Sequence, residues 1–476
     1  MSTSAGRDRA SMITEPATRP GLGRGPQDAA HTHGISRNPT IPNRTKGQRA
    51  IRAGVFAYFI DQFDIYLPIV VLAPAAAYFQ SAHVSAGTAS ILTALVFAST
   101  LIGRPVGAAV FGHFADTVGR RKSTLTAVAG FGIVTLFIAL LPGYTSIGLW
   151  SIGLLIALRF VDGFFLGGEY TAAVPLAMEW SPKGRRGLIS GLITCTSPGA
   201  SAVIAAITLL LLNVMPSKGA DSAYSQWGWR IPFLIGTALA VLLFRSYLNE
   251  VEEEPAVAKT ITGRQHSPLR DLFGKAHRRS LAQVLIFMTG TWLATNVGLA
   301  VLPGQLKTID HLTSSQSTIV MLVFAAVSAI AYPFLGALSQ RIGRRPYFIG
   351  YGLVVAIGGA TSYALILQYG STFAVAVVLG AVVGLLTICT FAPIAAYLTE
   401  RFPAEVRASG YGVGYSLAII VPAFYAFYMS GLTSLFSAKL APVILIVLAG
   451  LFISIGALLG PETKDIDMGS PAIAQA

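Results

Sequence analysis

Only two cysteines occur in 476 residues, and charged side chains make up just 12% of the chain. Cys195 and Cys389 both fall inside apolar runs, so neither suggests a disulfide framework or a zinc site; each reads as a small buried hydrophobe. A chain so poor in charge and 53% hydrophobic is too apolar for a soluble globular protein of this size. It also lacks a metal-ligand cluster, a phosphate-binding glycine loop and a nucleophile constellation, and its polar loops are too short for an added catalytic domain. The reading is therefore not an enzyme, with no cofactor and no metal. Acids are scarcer than bases, which leaves a formal net charge of +13. Such an excess can signal nucleic acid, but here the cations gather in alternate loops, so no nucleic-acid partner is expected. Residues 1–51 contain no apolar run and hence no signal-peptide core, and read as a disordered basic cytoplasmic tail.

What the chain does have is length of apolar run. Segments of about 20 apolar residues recur across residues 54–459, each long enough to cross a bilayer. They fall near 53–79, 90–115, 123–141, 149–179, 188–213 and 230–248, and again near 280–303, 315–338, 347–367, 372–399, 410–432 and 440–460. The loops after the odd-numbered spans carry only Lys218, Lys307 and Lys439 as cations. The other side collects the tail arginines, Arg120, Arg121, Lys122, Lys183, Arg185, Arg186, the basic part of residues 249–279, Arg341, Arg344, Arg345, Arg401, Arg407 and Lys464. By the positive-inside rule both termini lie in the cytoplasm.

Two cassettes repeat. Gly112-His113-Phe114-Ala115-Asp116-Thr117-Val118-Gly119-Arg120-Arg121 is matched 224 residues later by Gly336-Ala337-Leu338-Ser339-Gln340-Arg341-Ile342-Gly343-Arg344-Arg345. Glu179-x-x-Pro182-x-x-x-Arg186 returns 221 residues later as Glu400-x-x-Pro403-x-x-x-Arg407. A duplicated transporter scaffold follows: an all-α polytopic membrane protein of twelve transmembrane helices in two six-helix bundles with pseudo-two-fold symmetry. The bundles are residues 52–248 and 280–460, joined by a polar linker over 249–279 and followed by a cytoplasmic tail over 461–476. Charges at the cassettes read as a gate: Asp116 with Arg120, Arg121 or Arg407, Glu179 with Arg185 or Arg186, and Glu400 with Arg407, beside Arg344. Gln340 replaces the acid in the second copy, which predicts a weaker latch there.

These motifs resemble the signature of the major facilitator superfamily. Gly103-Arg104-Pro105-Val106-Gly107-Ala108, Arg159-Phe160, Gly167-Gly168-Glu169-Tyr170, Gly228-Trp229-Arg230-Ile231-Pro232-Phe233 and Phe402-Pro403-Ala404-Glu405-Val406-Arg407-Ala408-Ser409-Gly410 are similar to its metabolite:proton symporter branch. The resemblance covers the chain apart from its tails. It implies alternating access and uptake of small organic acids or zwitterions with protons. Two positions depart from that pattern: Asp61 stands where a glutamate is usual, and Asp162 where an uncharged polar residue is common.

An ionisable group inside a bilayer is a functional candidate by default. Here these are Asp61 and Asp64 in span 1, Arg104 in span 2, and Arg159, Asp162 and Glu169 in span 4, whereas spans 7–12 have none in their interiors. Counting residues places Asp61, Asp64, Arg104 and Glu169 in one layer, with Arg159 and Asp162 about 10–15 Å further out. Asp64 with Arg104 is the expected ion pair. Glu169, Asp61, Asp162 and Asp64 are candidate proton carriers, since four carboxyls face two arginines. Arg159 and Arg104 are candidates for a substrate carboxylate, and Tyr58, Tyr66, Trp292, Asn296 and Tyr415 for its remaining contacts, with Gln305, Thr387, Thr390 and Tyr411 nearby. The expected function is proton-coupled uptake of a small organic acid across a bacterial inner membrane, by a carrier functional as a monomer in lipid. The alternatives are uptake of proline or betaine, and proton-antiport efflux.

Overall fold

The computed structural model describes residues 44–81, 84–118, 120–250, 268–403 and 406–468. The basic tail over residues 1–43 and most of the 249–279 linker lie outside them. Among the described residues there are twelve helical spans and no strand. Span 1 is Ile51–Val70, span 2 Gly87–Phe111, span 3 Lys122–Ala139, span 4 Trp150–Glu179, span 5 Lys183–Val214 and span 6 Tyr224–Leu248. Spans 7 to 12 are Arg278–Thr308, Ser314–Ile342, Arg344–Tyr369, Phe373–Arg401, Arg407–Leu435 and Leu440–Leu458. Helix is the one open-ended element that satisfies its own backbone in lipid, so apolar length dictates the architecture.

The neighbour pattern carries the duplication. Span 1 packs on spans 5 and 6, span 2 on span 4, and span 3 on spans 4 and 6. Adding six to each number gives the contacts of the second bundle: 7 with 11 and 12, 8 with 10, 9 with 10 and 12. Between bundles, span 2 meets span 11 and span 5 meets span 8, again a symmetric pair.

Spans 2 and 4 pack backbone to backbone. A Cβ at Gly107 would lie 1.8 Å from Phe164 O, and one at Gly163 only 2.0 Å from Thr100 O. Small residues four apart allow this approach, as in other membrane helix pairs. It brings Arg104 and Thr100 of span 2 to the charged face of span 4. At the opposite end from the basic loops, Arg230 of span 6 holds the segments that follow spans 1 and 3. Its Nη2 donates to Tyr78 Oη at 2.8 Å and Leu141 O at 3.0 Å, and its guanidinium lies 4.5 Å from the Trp229 ring centre.

The basic end is closed across the bundles. A Cβ on Gly187 would meet Gly336 O at 2.3 Å, and Gly187 N donates to Gln340 Oε1 at 3.0 Å. Residues 461–468, read from sequence as the start of a tail, pack against this end. Glu462 accepts from the backbone N–H of Arg344 (2.9 Å) and Arg345 (3.1 Å), which caps span 9.

Gly107→Val should lower the thermal unfolding temperature of the purified protein sharply, by overpacking worth at least ~1–3 kcal/mol. Gly153→Ala, with nothing near its Cβ position, should be neutral or slightly stabilising. Equal melting temperatures for both variants would contradict the seam.

Candidate functional site

The six charged groups of the first bundle are buried, at 0–2% exposure. They divide into two clusters rather than forming one layer with two outliers. Along span 1, Asp61 and Asp64 are three residues apart, so both carboxyls project from one side at heights about 4.5 Å apart. Each meets its own arginine. Arg104 Nη2 donates to Asp61 Oδ2 at 3.1 Å, not to Asp64, which corrects the pairing expected from residue counting. Asp64 belongs to Arg159 instead: Arg159 Nη1 lies 3.1 Å from Asp64 Oδ2 and 3.0 Å from Asp162 Oδ2. Depth counting along separate helices could not resolve a difference of one turn.

The two arginines differ in what they have left to give. Arg159 also donates Nε to Thr100 Oγ1 (2.8 Å) and Nη2 to Asp64 O (3.1 Å), so every nitrogen of its guanidinium is engaged. Arg104 has Nε and Nη1 without a hydrogen-bond partner, and its guanidinium faces the rings of Tyr170 (4.5 Å) and Tyr415 (6.0 Å). Glu169 is buried with both carboxyl oxygens lacking a hydrogen-bond partner, and Asp61 and Arg104 are its leading charged neighbours. A charged carboxylate without partners in such a place costs several kcal/mol, and a proton removes that cost.

Between the bundles lies a small cavity lined by Gln62, Tyr66, Ser197, Trp292, Thr295, Leu299, Tyr332, Ile388, Phe391 and Tyr415. The cavity wall connects to the lower charge cluster by side-chain hydrogen bonds. Tyr66 Oη contacts Ser197 Oγ (2.9 Å), Ser197 donates to Gln62 Oε1 (2.7 Å), and Gln62 Nε2 donates to Asp61 Oδ2 (2.7 Å), which holds Arg104. Gln62, as a neutral residue between two aspartates, drew no notice in the sequence. A polar residue on a span's charged face was the available signal.

Of the expected substrate contacts, Tyr66, Trp292 and Tyr415 line the cavity. Tyr58 Oη lies 3.0 Å from Tyr415 Oη and joins the two bundles. Asn296 does not line the cavity: its Nδ2 donates to Pro422 O (2.9 Å), where span 11 loses its helical bonding. Tyr411 stacks on Tyr415 at 5.9 Å, Thr387 Oγ1 donates to Val383 O, and Gln305 accepts from Tyr363 Oη at 2.8 Å. Thr390 Oγ1 is buried without a partner.

The gate pairs are re-sorted. Glu179 binds Arg407 across the bundles at 2.8 Å instead of Arg185 or Arg186. Glu400 binds Arg344 instead of Arg407, by two bonds of 3.1 Å. Arg407 opens span 11, which borders the first bundle, whereas Glu400 closes span 10 beside the start of span 9. Arg186 Nη1 donates to Ile466 O and Arg407 Nη2 to Met468 O. Gln340 Oε1 accepts from Arg344 Nη2 (2.7 Å) as well as from Gly187, so the uncharged second copy still links the bundles. The side chains of Asp116, Arg120 and Arg121 lie outside the described residues.

Known proteins agree with this architecture. The Major Facilitator Superfamily profile matches residues 54–310 and again 293–473. The chain belongs to the major facilitator superfamily. It is 30% identical over 362 residues to the alpha-ketoglutarate permease of Escherichia coli, covering 75% of this chain and 81% of that one. It is 32% identical over 413 residues to the citrate-proton symporter of Salmonella typhi, covering 83% and 87%. The xylose transporter XylE from E. coli, in a partially occluded inward-open conformation, superimposes with a TM-score of 0.68 at 16% identity, over 89% of this chain and all of that one. Family and relatives make this chain a multi-pass inner-membrane transporter of the metabolite:proton symporter branch.

Glu179→Gln should increase labelling of a cysteine placed at Ala395, in a Cys195→Ser/Cys389→Ala background, several-fold, because a partly exposed cross-bundle pair is worth ~1 kcal/mol. Glu400→Gln should instead lower thermal stability by ~3–5 kcal/mol, since it strands a buried arginine. Maleimide kinetics in detergent and thermal unfolding separate these outcomes. Unchanged labelling in Glu179→Gln removes that pair from the gate.

Proposed function

We propose that this transporter takes up a small organic anion with protons, binding the anion's carboxylate at Arg104 and a coupling proton at Glu169. The observation that carries this reading is the pairing of unspent groups. Arg104 does not itself line the cavity but keeps two free nitrogens on a guanidinium 6.0 Å from the ring of Tyr415, which does, and the unpartnered Glu169 has Arg104 and Asp61 as its leading charged neighbours. Arg104 is already balanced by Asp61, so an arriving carboxylate brings uncompensated charge into a low-dielectric site. A proton on Glu169 offsets it. The chain Tyr66–Ser197–Gln62–Asp61 would report occupancy of the cavity to that pair. The names of the citrate-proton symporter and the alpha-ketoglutarate permease support a di- or tricarboxylate as the class of substrate.

Arg159 is assigned a different part from Arg104. Its donors are occupied by Asp64, Asp162 and Thr100, so it holds spans 1, 2 and 4 in register. The basic end is taken as cytoplasmic, with both termini there, on the loop-charge asymmetry. The carrier works as a monomer: cavity, charge clusters and gate all lie within one chain.

Labelled citrate and 2-oxoglutarate in proteoliposomes with an imposed inward proton gradient test the reading. Accumulation of either, abolished by an uncoupler, is the expected result. Glu169→Gln should retain counterflow exchange while losing accumulation, because a permanently neutral carrier swings loaded but cannot release its proton. Arg104→Ala should lose both by at least tenfold, and Arg104→Lys should not rescue, because an ammonium lacks the planar fork that clamps a carboxylate. Full proton-driven accumulation by Glu169→Gln would move the coupling site elsewhere.

A further inference from the structure

The upper cluster, Asp64 and Asp162 around Arg159, has more acceptors than hydrogens to fill them. Asp64 and Asp162 converge on the same arginine nitrogen, at 3.1 and 3.0 Å from Arg159 Nη1, and on the same hydroxyl. Thr135 Oγ1 stands 2.8 Å from Phe131 O, 3.1 Å from Asp64 Oδ1 and 3.4 Å from Asp162 Oδ1. A hydroxyl carries a single hydrogen, so it can serve one of these three acceptors well. The shortest contact is the backbone carbonyl four residues earlier in its own helix. Two carboxylate oxygens are then left against the hydroxyl oxygen with no hydrogen between them. Asp162 Oδ2 also lacks a hydrogen-bond partner, despite its nearness to Arg159. With both acids ionised, the cluster has a net charge of −1 at 0–2% exposure.

We propose that Asp64 and Asp162 form a carboxyl dyad that shares one proton, a second proton-binding site of this transporter distinct from Glu169. A proton on Asp162 supplies the missing hydrogen, which Asp64 or the Thr135 oxygen accepts, and brings the cluster from −1 to 0 against Arg159. Two carboxyls sharing a site do not both ionise readily, which favours a single bound proton. The elements around the dyad are consistent with this balance, and span 6 places the neutral Gly236 against Thr135. Span 4 contributes Arg159, span 2 the neutral Thr100 and span 3 the neutral Thr135. The next charges, Asp61, Arg104 and Glu169, form the lower cluster, where Arg104 is paired with Asp61. The inference goes beyond the substrate reading and does not depend on which anion is carried.

Infrared difference spectroscopy of the purified full-length protein in lipid, titrated with acid and base and repeated in D2O, tests it without any substrate. The native protein should show two protonated-carboxyl carbonyl bands near neutral pH. Glu169→Gln should remove one and leave the other. Asp162→Asn and Asp64→Asn should each remove the other, because either change leaves a one-to-one ion pair with Arg159 and nothing to share. Thr135→Val, which keeps the side-chain shape, should shift that band and not the Glu169 band. The Thr135→Val result stands even if neither aspartate variant folds. A second band that survives both aspartate substitutions, or a Thr135→Val spectrum identical to the native one, overturns the dyad. A native spectrum that shows the dyad band but no band removed by Glu169→Gln overturns the coupling site under Proposed function and leaves the dyad standing.

Discussion

Two guanidinium groups held at zero exposure inside a membrane bundle set the terms for the rest of this protein. A cation there costs several kcal/mol or more unless it is paired and hydrogen-bonded. Arg104 and Arg159 meet that demand through span 1, whose Asp61 and Asp64 supply one carboxyl each. Span 1 is therefore fixed against spans 2 and 4 by charge. The glycine seam between spans 2 and 4 serves the same need at one bond, because it brings Thr100 within 2.8 Å of Arg159 Nε. Packing in the first bundle serves its electrostatics.

The second bundle solves a different problem. With no charged residue in the interiors of its described spans, it contributes broken helices and the aromatic side of the cavity. Span 10 changes from α- to 3-10-helical bonding at Cys389–Phe391, and carbonyls around this turn take side-chain donors as well. Tyr332 donates to Ile388 O, Tyr347 to Cys389 O and Tyr351 to Leu385 O. Ala392 O is taken from the other bundle, by Ser190 Oγ at 2.8 Å and Thr194 Oγ1 at 3.2 Å. The break thus becomes a contact between the bundles, while charge chemistry stays in the first.

The outline of the fold was legible because apolar length, loop charge and the repeated cassettes are one-dimensional signals. The buried charges were legible too, since a carboxyl in an apolar run is conspicuous. Their pairing was not. Asp61 and Asp64 differ by less than one turn, and which arginine each meets depends on how far span 2 slides along span 1. The gate misled for a related reason: Glu179 and Glu400 were matched to cations close in sequence, whereas Arg407 begins a helix that borders the opposite bundle. Gln62 and Ser197 were hidden because neutral polar residues are common in spans and matter here only through the bonds they make to one another.

The arrangement also explains how a charge event in the first bundle can reach the interface. Arg104 lies against the rings of Tyr170 and Tyr415, which belong to different bundles and sit 5.1 Å apart. Tyr415 in turn contacts Tyr58 through its hydroxyl, accepts from Trp292 Nε1 at its carbonyl and stacks on Tyr411. Moving the guanidinium toward an anion in the cavity disturbs the ring that these contacts hold in place. Packed interfaces respond to such shifts by exchanging one set of contacts for another, not by stretching. On the proposed reading, the arginine that takes the anion also bears on the tyrosine joining the bundles, which would couple binding to rocking through one side chain.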